Sequence, residues 1–182
     1  MSKTTYTKLK QAWIPLIQDL HQATTKENAD LQCASLCTAR CCPQVRSHQD
    51  PNYAVGHVAI MLPFELEYIC DQTNTSIEQF ETADFEYSKN FDLSIGYITN
   101  KKPCPFLTHD YKCGIHNIRP LDCRSFPLIP VFQANGELAY KMDNDCPSVE
   151  FLSNKYQNLL KNIWSELLGH LPMEYRMLYN AL

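Results

Sequence analysis

Eight of the nine cysteines in this chain stand in two sets, and they limit its fold more than any other feature. The first set is Cys33, Cys37, Cys41 and Cys42, in the stretch CASLCTARCCP. The second is Cys104, Cys113, Cys123 and Cys146, the first three lying within CPFLTHDYKCGIHNIRPLDCRSFP. The opening residues, MSKTTYTKLKQAWIPLIQDL, lack the continuous apolar stretch and small-residue cleavage site of a secretory leader. A cytoplasmic location is therefore expected, where thiols stay reduced. Nine is also an odd number for a closed set of cystines. Thiolate ligation of a metal is the economical reading. Eleven prolines leave much of the centre in irregular backbone, which loses conformational entropy on folding and gains few ladder hydrogen bonds. A bound metal would hold it, since structural zinc binds with roughly 10–16 kcal/mol of apparent free energy.

Regular structure is expected mainly at the two ends. Tyr6, Leu9, Trp13, Leu16, Ile17 and Leu20 recur at helical spacing, with Pro15 marking a kink or a later start. Cys33, Cys37 and Cys41 are four apart and would share a helix face within about 80°. Cys42 would point elsewhere. Pro63 before FELEYIC predicts a helix with proline at its first position. Thr75 to Gln79 holds a capping-box pattern, and Asp92 to Thr99 reads as a strand. Asn135-Gly136 between two apolar runs predicts a hairpin over Leu128–Gln133 and Glu137–Met142. Val149 to Leu168 is strongly helical in period, Gly169 stops it, and a last helix is expected from Pro172 through Leu178. The expected fold is mainly α with a small β hairpin. Helices at both ends surround an irregular, metal-stapled, cysteine-rich centre. One domain over residues 1–182 is expected, with an N-terminal helical segment at 1–32, a cysteine-rich core at 33–147 and C-terminal helices at 148–182.

Composition narrows the function. A net charge of −4 and a pI near 5.8 argue against a broad basic face, so no nucleic-acid partner is expected. No apolar run reaches membrane-spanning length, so no membrane partner is expected either. Five glycines and the lack of any Gly-rich phosphate loop, G-x-S-x-G or H-E-x-x-H leave no familiar catalytic motif. Whether the chain is an enzyme stays open, as does any protein partner.

All eight cysteines, Cys33, Cys37, Cys41, Cys42, Cys104, Cys113, Cys123 and Cys146, are candidate ligands. Zinc and a [4Fe-4S] cluster each take four thiolates, so one site or two are open. The chain has no C-x2-C hook, which structural zinc usually uses. Cys42, Cys104 and Cys146 are each followed by proline, as in the bacterial ferredoxin run. An iron–sulfur cluster is favoured on that basis, with zinc as the alternative. Arg119 and Arg124 flank Cys123 and are read as cofactor-binding residues that offset thiolate charge. A surface ion pair is their other reading. His116 reads as a loop histidine, and Cys70 as a buried packing residue. Glu65 and Glu67 read as a solvated face.

The string CPFL, then C-x-I, then RP-x-x-C-R-x-F-P, with a cysteine cluster ending in CC upstream, resembles the YkgJ-like (CxxCxxCC-type) family of zinc- or iron-chelating proteins. The resemblance covers roughly residues 33 to 147. It implies chelation by Cys37, Cys41, Cys42, Cys104, Cys113 and Cys123, with Cys146 at a family position and Cys33 more widely spaced than in many members. His116 stands where the family often has an aromatic. A flagellin lysine methylase has a similar cysteine pattern, but the resemblance implies metal binding and not a reaction; a redox role and a protein-modification role both stay open. A structural zinc-binding adaptor without catalysis is the alternative.

Overall fold

The computed structural model describes residues 3–27, 42, 59–82, 96–97, 104–171 and 173–181. Helix α1 is Lys3–Glu27 and runs through Pro15. Proline 15 lies on the exposed side, where water can serve the Gln11 carbonyl that loses its helical partner. The opposite side buries Trp13, Ile17, Leu20, His21 and Thr24. Helix α2, Glu65–Thr73, begins two residues after Pro63. Phe64 before it adopts a left-handed φ of 63°, and no side chain caps the first turn. Ser76 caps a 3₁₀ turn, Ile77–Gln79, accepting from Glu78 N–H at 3.3 Å. Strands β1, Glu81–Thr82, and β2, Gly96–Tyr97, pair antiparallel. The rest of the strand expected over 92–99 lies outside the described residues.

A 3₁₀ turn at His116–Ile118 leads into the five-residue helix α3, Leu121–Ser125. Strands β3, Leu128–Phe132, and β4, Leu138–Met142, form the expected hairpin with Leu128 opposite Met142 and Phe132 opposite Leu138. Its turn closes through Gly136 N–H to Gln133 O at 2.9 Å, and Gly136 takes φ 84°. A type I turn followed by a left-handed residue needs glycine there. The predicted helix after Pro147 divides in two. A 3₁₀ stretch, Pro147–Phe151, comes first, and helix α4, Asn154–Leu168, starts only where the Ser153 hydroxyl accepts Tyr156 N–H at 3.1 Å. Helix α5, Met173–Ala181, follows.

The larger core packs α1 against α4, with α5 over β3. Helix α4 buries Tyr156, Leu160, Ile163, Trp164 and Leu167, repeating the spacing of the buried face of α1. Asn180 of α5 accepts Phe132 N–H at 3.1 Å and donates back to Phe132 O, so it satisfies the β3 edge. A smaller core gathers Ala59, Met61, Leu66, Ile69, Cys70, Phe80, Phe106 and Ile115. Residues 59 to 62 join the two, for Ile60 and Leu62 enter the larger core while Ala59 and Met61 enter the smaller. Among the described residues no helix is long and apolar enough to cross a membrane.

One expectation is overturned. Glu65 is 0% exposed and no part of a solvated face. Its Oε2 accepts Leu62 N–H, and its Oε1 accepts Leu121 N–H and pairs with His21 Nε2, each at 2.9 Å. The carboxylate thereby ties α2 to α1 and α3, and these donors offset the cost of burying its charge. Glu67 keeps its surface place, 2.8 Å from Lys10 Nζ.

Candidate metal centre

Cys104, Cys113 and Cys123 all pack against the smaller core. Each is set there by a different local device. Cys104 opens a turn in which its carbonyl accepts Leu107 N–H at 3.0 Å. Burial pushes the Cys104 thiol up. The Phe106 backbone N–H pulls it down, the neighbouring Cys113 side chain pushes it up again, and the Leu107 N–H pulls it down. Two backbone donors therefore converge on one sulfur, and a second sulfur lies in its field. The Leu107–Cys113 bridge and Gly114 N–H to Phe106 O, at 2.8 Å, close the intervening loop. A Cβ at Gly114 would meet Phe106 O at 3.2 Å, so glycine permits this close approach.

Cys123 rides on α3. Leu121, Asp122, Arg124 and Ser125 of that helix are buried, whereas Cys123 is only partly so. Every neighbour of Cys123 is fastened to another element. Leu121 N–H reaches Glu65, and Asp122 Oδ2 accepts Ile60 N–H at 2.9 Å. Asp122 Oδ1 accepts the Tyr179 hydroxyl of α5. Ser125 Oγ accepts Trp164 Nε1–H of α4 at 2.8 Å and donates to Leu121 O at 3.0 Å. Tyr156 Oη donates to Arg124 O at 3.1 Å.

Arg124 is 1% exposed, and its guanidinium turns toward α1. Nη1 donates to Thr24 Oγ1 and Thr25 Oγ1 at 2.9 Å each and to His21 O at 3.3 Å. Nε donates to Arg119 O at 2.7 Å, and Nη2 donates to Asn117 O. Burial draws its pKa down to about 10, so it stays charged at neutral pH. Arg119 Nη1 donates to His116 O at 3.3 Å. Among the described residues the buried acids Glu65 and Asp122 are matched in number by the buried arginines Arg119 and Arg124.

Cys42 enters through its backbone, where its carbonyl accepts Cys104 N–H at 3.1 Å. That bond joins the two cysteine sets. Cys146 heads the 3₁₀ stretch after β4, its N–H donating to Asp143 O at 3.3 Å, while Asp143 N–H reaches Pro127 O at 2.9 Å. Cys70 is buried in the smaller core. Burial raises its thiol pKa, and the charges acting on it are those of Asp71 and Glu67. His116 is half-buried, and burial lowers its pKa. Cys33, Cys37 and Cys41 lie outside the described residues. Among the described residues no group of three or more His, Cys, Asp or Glu side chains is arranged to hold a metal ion.

The donor set itself suits a thiophilic metal. Cys42, Cys104, Cys113, Cys123 and Cys146 are thiols, not cystines, and soft sulfur donors select zinc, copper(I) or iron–sulfur centres over hard cations. Glu65 and Asp122, which fasten α3 to its neighbours, were missed from sequence. A signal for Glu65 was present, since it shares a helical face with Leu62, Leu66 and Ile69. Asp122 carries no comparable sign.

No curated protein and no solved structure showed a significant match to the chain. Residues 32–147, which include all eight paired-set cysteines, match the family model CxxCxxCC, described as "Putative zinc- or iron-chelating domain", and the chain belongs to that family.

Proposed function

We propose that this protein holds a cysteine-ligated iron–sulfur centre, with ligands drawn from Cys33, Cys37, Cys41, Cys42, Cys104, Cys113, Cys123 and Cys146. The observation that carries this reading is that Cys104, Cys113 and Cys123, all free thiols, pack against one small core. Hydrogen bonds to sulfur are a main means by which proteins tune such centres. The Cys104–Cys42 backbone bond supports a site that draws on both sets. A bound cluster supplies one-electron chemistry, which fits a redox role or an organising role in protein modification. Arg119 and Arg124 lie within four residues of Cys123 in the chain, and their positive charge would offset that of ligating thiolates. The reduced thiols suit a cytoplasmic compartment. A structural zinc site is the second reading, favoured by the family's description as zinc- or iron-chelating.

Anaerobic purification with analysis for iron, acid-labile sulfide and zinc separates the two. Iron and sulfide in equal amounts, with visible absorbance that bleaches on reduction, support the cluster. Zinc alone in a colourless protein supports the second reading. Cys113→Ser and Cys123→Ser should each lose metal, and Cys70→Ser should keep it. Equal retention in all three overturns the ligand assignment.

A further inference from the structure

The helix that carries Cys123 is fastened from outside the metal-chelating region. The family match covers residues 32–147, whereas α1 ends at Glu27. Yet Arg124, adjacent to Cys123, places its Nη1 among Thr24 Oγ1, Thr25 Oγ1 and His21 O on the last turns of α1. Thr24 is fully buried, and its hydroxyl is fixed by donation to Leu20 O at 2.6 Å. Thr25 in turn donates to Asn117 O at 3.3 Å, the carbonyl that also accepts Arg124 Nη2. His21 adds a second tie through Glu65 to Leu121 N–H, the first residue of α3. A five-residue helix has no stability of its own, so its position is whatever these anchors impose.

We propose that α1 is a clamp on the metal centre: Arg124 acts as a positioning residue that passes the placement of Cys123 to Thr24 and Thr25. Docking of α1 and retention of metal are then linked. Each favours the other by the same factor, as for any two coupled equilibria. This rests on the metal-binding reading above and assigns it a regulatory handle, because anything that lifts α1 loosens the metal.

The test uses the full chain as purified with its metal, challenged with excess chelator. Thr24→Val with Thr25→Val removes both hydroxyl acceptors at nearly constant shape. Metal release should quicken about tenfold, the usual scale for loss of a group that orients a ligand. Thr24→Ser with Thr25→Ser keeps the hydroxyls and should restore the wild-type rate. In the wild type, metal removal should speed amide exchange over residues 3–27. Should the double valine chain fold poorly, Thr25→Val alone, at a partly exposed position, serves the same purpose. Release within twofold of wild type in a valine variant, or α1 exchange unaffected by metal, overturns the clamp and leaves metal binding intact. A wild-type chain that carries no metal overturns both.

Discussion

Replacing Glu65 by glutamine changes one atom in a side chain that is wholly buried and accepts three hydrogen bonds. The amide oxygen can take the place of Oε1 and still serve Leu121 N–H and His21. The amide nitrogen must then stand where Oε2 accepts Leu62 N–H, so two donors face each other. In the reverse orientation the amide nitrogen faces Leu121 N–H, and His21 must change tautomer to accept from it, so a buried donor is stranded there as well. Either orientation forfeits one charge-assisted bond and strands a buried N–H, together about 2–4 kcal/mol. It also removes one of the two acidic side chains buried with Arg119 and Arg124 among the described residues, which adds to the cost. Against a typical total of about 5–15 kcal/mol this is a large fraction.

Urea unfolding reads the effect directly, with both chains in the same metal state. At a slope near 2 kcal/mol per molar, the midpoint should fall by about 1–2 M with no change in slope. Glu67→Gln is the internal comparison. It loses only a partly exposed pair with Lys10 and should cost about 0.2–1 kcal/mol. If the two variants shift the midpoint alike, the buried three-way carboxylate is not what joins α1, α2 and α3.

Three further outcomes are expected. Tyr179→Phe removes the hydroxyl that donates to Asp122, and should cost about 1.5–3 kcal/mol in the same assay; a neutral result would mean that Asp122 is satisfied without α5. His116 has its pKa depressed below 6.5 by burial, so the stability it contributes is complete above pH 6.5 and is lost as pH falls through the folded value. His116→Gln should therefore flatten the acid side of the stability–pH curve of chelator-treated protein, and curves that stay parallel down to about pH 5 would refute this. Gly136→Ala meets no atom within 4 Å, so its cost is purely that of φ 84° and should be about 1 kcal/mol by thermal unfolding.

Long elements were legible in the sequence because a single face decides them. Helix α1 was visible in Trp13, Ile17 and Leu20, and the hairpin in Asn135-Gly136. The start of α4 was not, because an apolar period cannot separate a 3₁₀ stretch from the helix after it; the Ser153 hydroxyl makes that division. Glu65 was misread because charge was weighed over position on the helix face. The second cysteine set stands out in the sequence by type and spacing, and Cys104, Cys113 and Cys123 each pack against the smaller core. The direction of Arg124 was not. Its partners Thr24 and Thr25 stand about a hundred residues earlier, and no local pattern encodes so distant an acceptor.

The segment RPLDCRSFP can now be understood as a mount. A helix of five residues cannot persist on backbone bonds, because nucleation alone is unfavourable. Side chains must hold it, and three of its residues each reach a different terminal element: Asp122 reaches α5, Arg124 reaches α1 and Ser125 reaches α4. Apolar residues of similar volume could fill the same space at little cost in stability. They would not fix register, since apolar contacts tolerate sliding whereas a forked guanidinium and a buried carboxylate do not. A metal ligand needs that register, because a thiolate out of place by a fraction of an ångström loses its bond. On the proposed reading the burial pattern of α3 answers this demand: four side chains are committed to the interior, and Cys123 is left partly exposed.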